Sequence, residues 1–303
     1  MRVRSFRPTI IIPTKNRANV LSQLLDSIEQ LDAVDRILPE IIVADNDSQD
    51  DTFEYIKSKA RCFRAMVRAV KVTRPGKSAA INDALKAATG DVVAFLDDDV
   101  VVDKNWLRAV EIFFRQGEYR VGQGMIQLPS PEKDEPEILK LVERYRTIPR
   151  LVYRSNPRTV HSLNGANFFV GREVFDRIGG FDERLGPGAS GTSEDVDFAR
   201  RLTRANIAIG YVPDAIVYHR VDRARLTEEY FKQSHRRQGA SRFLIRNHSA
   251  AAIAFNLFRA AAGYGYYTVI GKERPRYRSK GRIYHYLGMI NAKQNAVGEK
   301  KSG

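Results

Sequence analysis

Apolar positions in the first hundred residues follow two alternating rhythms. Residues 9–12 form a β-branched run that Pro13 cuts off, and residues 40–44 (EIIVA), 66–72 and 91–96 repeat the pattern of a buried strand. Between these runs Val20, Leu21, Leu24, Leu25, Ile28 and Leu31 recur at helical spacing. Residues 50–60 also read as a helix, and Ile81, Ala84, Leu85 and Ala88 mark another that Gly90 stops. Strands alternating with helices predict a parallel sheet covered by helices on both faces. Ligands of such sheets bind outside the carboxyl ends of the strands. Residues 13–17, 45–48 and 97–99 all fall at those ends, so the pattern gathers them at one crevice of nucleotide size.

Beyond Gly117 the rhythm is less regular. Residues 129–136 (PSPEKDEP) read as a polar surface loop, 164–170 (NGANFFV) as a strand, and 172–178 as a short helix closed by Gly179 and Gly180. Thr192 or Ser193 is expected to cap a helix running to about Thr203, and residues 207–212 and 216–219 to form two short strands. From Ala224 onward helix-compatible, arginine-rich sequence dominates.

Composition adds a division of charge. The 303 residues, 43% hydrophobic and 28% charged, suit one large globular domain or a domain with an appendage. The net charge of +14 is concentrated in residues 220–303, where 18 Lys+Arg face 5 Asp+Glu for a net +13, leaving +1 for the first 219 residues. A basic end of this kind calls for a polyanion: an anionic membrane surface, a nucleic acid or a phosphorylated substrate. A merely soluble surface is the alternative. Residues 248–271 are the most apolar stretch, but Asn256 and Arg259 interrupt them and argue against a simple membrane-spanning helix. Two placements stay open for this stretch, along an anionic bilayer or against the catalytic domain. The single cysteine, Cys62, excludes an internal disulfide and fits a reducing cytosolic compartment, and Pro8 and Pro13 break the N-terminal stretch, so no signal peptide is expected.

The candidate chemistry lies in the acids. In VVAFLDDDVVVDKNW, strand-like alternation puts Asp97 and Asp99 on one side and Asp98 on the other. Two such carboxylates suit Mg²⁺ or Mn²⁺, and a solvated acidic turn is the competing reading. In GTSEDVD, Glu194, Asp195 and Asp197 fall in a first helical turn, which the helix dipole favours without any catalytic role. A carboxylate there also tends to stay ionised, as a general base must be. His219 closes VYH, either as a structural histidine or as a further metal ligand. No GxGxxG follows the first strand, and P-loop, zinc-type Cys/His spacing and GxSxG are all missing, which argues against those site types.

The order of PTKNR, VADNDSQDDT, RPGKSAAINDAL, GDVVAFLDDDVVVDKNWL, NGANFFVGREVFDRIGGFDE, SEDVDFARRL and VYH resembles the family-2 glycosyltransferases of the GT-A fold, over about residues 8–220. The resemblance implies a Rossmann-like, mostly parallel sheet flanked by helices, with residues 221–303 as a basic helical extension that associates with membrane or acceptor. It implies a hexosyltransferase-type enzyme that uses a nucleotide-sugar donor (UDP preferred), Mn²⁺ or Mg²⁺, and inversion at the anomeric carbon. The acceptor would be a glycan or lipid-linked hydroxyl in polysaccharide or glycoconjugate synthesis, and the enzyme cytoplasmic or peripheral on the inner face of the cell membrane.

Carried over by motif, Asp97–Asp99 resembles the DXD motif, with Asp99 and Asp97 as metal ligands and His219 as the third, and with Asp97 and Asp98 also on the donor side. Pro13, Thr14, Arg17, Asp45 and Asn46 resemble the base- and ribose-binding loops, although the family often has an acid where Asn46 stands. Lys77 falls near the nucleotide. Asn164, Gly165, Ala166 and Asn167 would wall the donor sugar, and Gly180, Phe181 and Asp182 would face the acceptor. Glu194 and Asp195 resemble the ED motif, with Asp195 as catalytic base. Two rivals remain: a sugar-phosphate nucleotidyltransferase, and a nucleic-acid-binding protein using the basic third, which would leave the acids of the neutral body unexplained. No nucleic-acid partner is expected, and oligomeric state is left open.

Overall fold

The computed structural model describes residues 6–153, 155–246 and 248–302, with side chains described to residue 295. The first five residues, part of the stretch read for a signal peptide, lie outside the described residues. The chain divides into two compact units. The first runs to Pro129 and adds Pro149–Glu183 and Glu194–Arg220; the second comprises Ser130–Ile148, Arg184–Ser193 and the chain from Val221. The second unit therefore draws two internal segments from within the span 1–220.

In chain order the first unit opens with β1 (Pro8–Thr14), α1 (Ala18–Glu29), α2 (Val34–Ile37), β2 (Glu40–Asp45), α3 (Thr52–Lys59), β3 (Met66–Lys71) and α4 (Lys77–Ala87). It continues through β4 (Val92–Leu96), β5 (Val100–Val102), α5 (Trp106–Gln116) and β6 (Val121–Gln127). After α6 (Pro136–Tyr145), which belongs to the second unit, come β7 (Thr159–Val160), β8 (Asn167–Gly171), α7 (Glu173–Ile178), α8 (Glu194–Arg204) and β9 (Ile209–His219). The second unit is completed by α9 (Glu228–Ile245), α10 (Ala250–Val269) and α11 (Glu273–Ser302).

The strands make one sheet in the order β3-β2-β1-β4-β8-β6-β9-β5, with β7 on β9. The first four are mutually parallel, β8 is antiparallel to β4 and β6, and β9 runs parallel to β6. This is the expected α/β architecture. Both faces are apolar, as a helix-covered parallel sheet requires. Ile10, Ile12, Ile41, Val43, Val92, Ala94 and Leu96 pack on one side with Leu21, Leu24, Leu25 and Ile28 of α1. Ile11, Ile42, Ala44, Val93 and Phe95 pack on the other with Ala80, Ile81 and Ala84 of α4. Each fully buried Ile or Leu contributes about 1.5–3 kcal/mol, which holds the strands in register.

Two features position the rim. Thr14 and Asp45 are register partners at the ends of β1 and β2, and β4 stops at Leu96, so the loops after all three strands open at one edge. β9 is a single strand where two were expected. Pro213 cannot donate to a ladder, but it lies at a register shift opposite Gly124 and Met125 that lets the strand pass through. β9 therefore runs on to His219, which pairs antiparallel with Val100 of β5.

Candidate active site

The site is built where β4 gives way to β5. Asp98 is turned inward and buried; Thr14 donates its hydroxyl to Oδ2 at 2.7 Å, and Arg17 donates to Oδ1 at 2.8 Å. Burial pushes the Asp98 carboxyl up to about 6, and Arg17 pulls against it. The middle aspartate thus ties β4 to the β1 loop, and its neighbours are carried on the other side of the chain. Arg17 also reaches Asp99 at 3.4 Å.

Asp99 meets the end of β9. Arg220 donates its backbone N–H to the Asp99 carbonyl at 3.0 Å, and His219 Nε2 lies 3.3 Å from Asp99 Oδ1. The ligand atoms of Asp97, Asp99 and buried His219 all fall within 4.8 Å of one another. His219 Nδ1 is 2.8 Å from the Arg220 carbonyl, which can only accept, so Nδ1 carries the proton. Nε2 then faces the Asp99 carboxylate, where a cation shared by the two side chains would bind. Two carboxylates and an imidazole form an O,O,N donor set suited to a divalent ion such as Mn²⁺.

Lys77 joins this cluster to the second acidic motif. It opens α4 after Gly76, and its ammonium contacts Asp97 Oδ1 at 2.5 Å and Glu194 Oε1 at 3.2 Å. Burial alone would lower its pKa, but Asp97, Glu194 and Asp195 outweigh it and raise it, so the lysine stays charged. Asp195, in the first turn of α8, accepts the backbone N–H of Gly165 at 3.0 Å and of Val196 at 2.8 Å. Burial and then the charge of Glu194 push the Asp195 carboxyl up to about 7, against the pull of Lys77 and the two amides. Gly165 sits among these groups. A first side-chain carbon there would stand 3.0 Å from Lys77 Nζ, 3.8 Å from Asp97 Oδ1 and 3.9 Å from Asp195 Oδ2.

The structure thus brings together Thr14, Arg17, Lys77, Asp97, Asp98, Asp99, Gly165, Glu194, Asp195 and His219 from the residues singled out in the sequence. Asp45 and Asn46 lie at the same edge but are committed to loop structure. Asp45 is fully buried and accepts from Ser48. The Asn46 amide donates to the carbonyls of Val72 (3.2 Å) and Arg74 (2.7 Å) and accepts from Gly76 N (2.9 Å). An acid could not make those two donations, which accounts for the asparagine. Pro13 is buried within β1, and Asn164 caps the next turn by accepting from Ala166 N at 3.1 Å.

Two expectations need correcting. Asn167, expected beside the donor, is 0% exposed, and its amide is spent on Trp106 Nε1 (2.9 Å) and the carbonyls of Met125 (2.9 Å) and Ala215 (2.8 Å). It fastens β8 to its neighbours in the core. Phe181, expected to face the acceptor, is buried and stacked on Phe198 at 4.7 Å. Gly180 and Asp182 do line a surface cleft of about 620 Å³, shared with Asn82 and with Arg200, Arg201 and Arg204 of α8. Sequence reading missed Gln123 and Asn82. Gln123 accepts from Asn164 N (2.7 Å) and donates to the Asn167 carbonyl (2.8 Å), fixing the 164–167 turn. Asn82 clamps the 181–183 turn through both the N–H and the carbonyl of Phe181. Its signal was an amide interrupting the apolar face of α4.

The family model described as Glycosyl transferase family 2 matches residues 9–179, more than half of the chain. Among curated relatives, the glycosyltransferase AglE of Haloferax volcanii is 25% identical over 70% of this chain and 66% of its own length. The pre-mycofactocin glycosyltransferase of Mycobacterium tuberculosis is 29% identical over 70% of this chain and 42% of its own. The chain therefore spans two thirds or less of these relatives. Among solved structures, the mannosyltransferase PcManGT of Pyrobaculum calidifontis, in complex with GDP-Man and Mn²⁺, superposes with a TM-score of 0.64 at 20% identity, covering 96% of this chain and 88% of that one. TarS of S. aureus, residues 1–349 in complex with UDP-GlcNAc, gives a TM-score of 0.56 at 17% identity, covering 95% and 92%.

Proposed function

The chain belongs to glycosyl transferase family 2, and from that premise we propose that it moves a sugar from a nucleoside-diphosphate donor to an acceptor hydroxyl by a single inverting displacement. The observation that carries this reading is the junction at Lys77: one ammonium touches both Asp97 and Glu194, so a cation-ready cluster and a carboxylate base share one crevice. Asp97, Asp99 and His219 would hold a divalent ion, Mn²⁺ or Mg²⁺. The chemistry it supplies when bound is neutralisation of charge on the departing nucleoside diphosphate.

The remaining work falls to the chain's own residues. Asp195 accepts the acceptor hydroxyl's proton as the oxygen forms its bond to the anomeric carbon and the bond to the diphosphate oxygen breaks. The Gly165 and Val196 amides hold the carboxylate in place for that transfer. Glu194, held by Lys77, orients the sugar beside it. Gly165 leaves the space in which the reacting centre sits, and Arg17 and Thr14 keep the aspartate turn fixed. One base without an opposed nucleophilic carboxylate favours inversion over a double displacement. The acceptor is a glycan or lipid-linked alcohol approaching past Gly180 and Asp182.

UDP is the first base to test. UDP- and GDP-sugars should be screened for thermal stabilisation with and without Mn²⁺. A sugar nucleotide should raise the melting temperature more with the ion than without it, and turnover should release nucleoside diphosphate. Release of pyrophosphate would point instead to a nucleotidyltransferase, and no stabilisation by any sugar nucleotide would end the donor reading.

A further inference from the structure

α10 differs from an ordinary packed helix in what it leaves outside. Of its 20 residues only Ile253 and Ala260 are buried, on the side that packs along α11. On the other side Phe255, Phe258, Tyr266 and Val269 are 61%, 70%, 61% and 87% exposed, with exposed Ala262 between them. Steps of three, four, four and three residues align them as one outward stripe. Scattered apolar residues on a surface need no explanation, but a continuous stripe of large ones marks an interaction face. The helix contains no acid and a single cation, Arg259, whose guanidinium lies 5.7 Å over the Phe255 ring. Exposed Arg246 precedes the helix and exposed Lys272 follows it. No helix among the described residues is long and apolar enough to cross a membrane.

We propose that this face of α10 docks on an anionic lipid bilayer. The helix lies flat in the interface with Phe255, Phe258 and Val269 among the acyl chains and Tyr266 at the boundary. Arg246, Arg259 and Lys272 sit at the level of the phosphates. Charge selects this occupant over a second copy of the chain, because an α10–α10 contact would bring together two segments that each carry a net +13. None of these residues belongs to the rim that carries Asp97 and Asp195, so failure here would leave the transfer reading standing.

The test is co-sedimentation of the full chain with phosphatidylcholine vesicles, with and without added phosphatidylglycerol. The chain should pellet with the anionic vesicles and be released as salt rises. The combined variant Phe255→Ser, Phe258→Ser, Val269→Ser should weaken binding by at least about tenfold while leaving circular dichroism and melting temperature unchanged, since those side chains stand in solvent. Arg259→Glu with Lys272→Glu should lose binding to the anionic vesicles selectively. A wild-type chain that stays in the supernatant, or a triple-serine variant that binds as well as wild type, would overturn the proposal. So would a concentration-dependent dimer in sedimentation velocity that the triple-serine variant abolishes, which would assign the stripe to a second copy.

Discussion

The aspartates after β4 and the acids opening α8 meet at the same lysine but are set up differently. After β4, Asp98 is folded inward onto Thr14 and Arg17, and its two neighbours converge with the His219 imidazole. At α8 the buried acid, Glu194, is turned onto Lys77, while the partly buried Asp195 accepts two backbone amides and has its carboxyl pushed up to about 7. One cluster presents two carboxylates converging with an imidazole, and the other presents a carboxylate that changes protonation near neutrality. What separates them is the partner each carboxylate is given, since both clusters are equally acidic in sequence.

That contrast can be broken in four places. The largest effect belongs to the cluster of Asp97, Asp99 and His219: Asp99→Ala should lower transfer by roughly a thousandfold, as loss of a several-kcal/mol Lewis-acid contribution implies, with circular dichroism unchanged. Turnover in this variant and in chelator-treated wild type as high as in untreated wild type would detach the cluster from the chemistry. Next, Asp195→Asn should cost at least about a hundredfold in kcat with donor affinity preserved. Normal turnover would move the base elsewhere.

A smaller effect tests the link between the clusters. Only the ionised Asp195 can accept a proton, so wild-type kcat/KM should climb with pH through about 7 and level off above it. Lys77 pulls the Asp195 pKa down, so Lys77→Met should move that climb to higher pH. A profile left in place by the substitution would show that the lysine does not tune the base. The smallest effect on catalysis is expected at Asn167→Ala. Orphaning core groups at about 1–3 kcal/mol each should lower the melting temperature, while activity per folded molecule stays within a few-fold. A selective loss of donor affinity would return Asn167 to the donor wall.

The sequence was most legible where both faces of a strand are apolar. β1, β2 and β4 announce themselves because nothing polar interrupts them, and with them came the edge where the loops converge. β6 (VGQGMIQ) gave no such signal because its glycines are demanded from outside. A side chain at Gly122 would put its first carbon 2.6 Å from the Phe169 ring, and one at Gly124 would run into the Asn167 amide. Pro213 likewise disguised β9 as two strands. In the site, Asp97, Asp99, Asp195 and His219 could be found as residue types suited to their chemistry. Asn167 and Phe181 could not be assigned correctly, because their neighbours in sequence face the rim while they face the core. Gln123 and Asn82 act through backbone groups forty and a hundred residues away, which no local pattern encodes.

The pairing of β9 with β5 also has a consequence for how the protein is made. A chain emerging from the ribosome carries Asp97 and Asp99 long before residue 219 exists, and domains are built from the N-terminus forward. His219 reaches Asp99 only once the last strand of the sheet has been synthesised and zipped against Val100–Val102. A product that stops short of residue 219 has two legs of the tripod and no third. The cluster of Asp97, Asp99 and His219 is thus complete only in a chain whose sheet is complete.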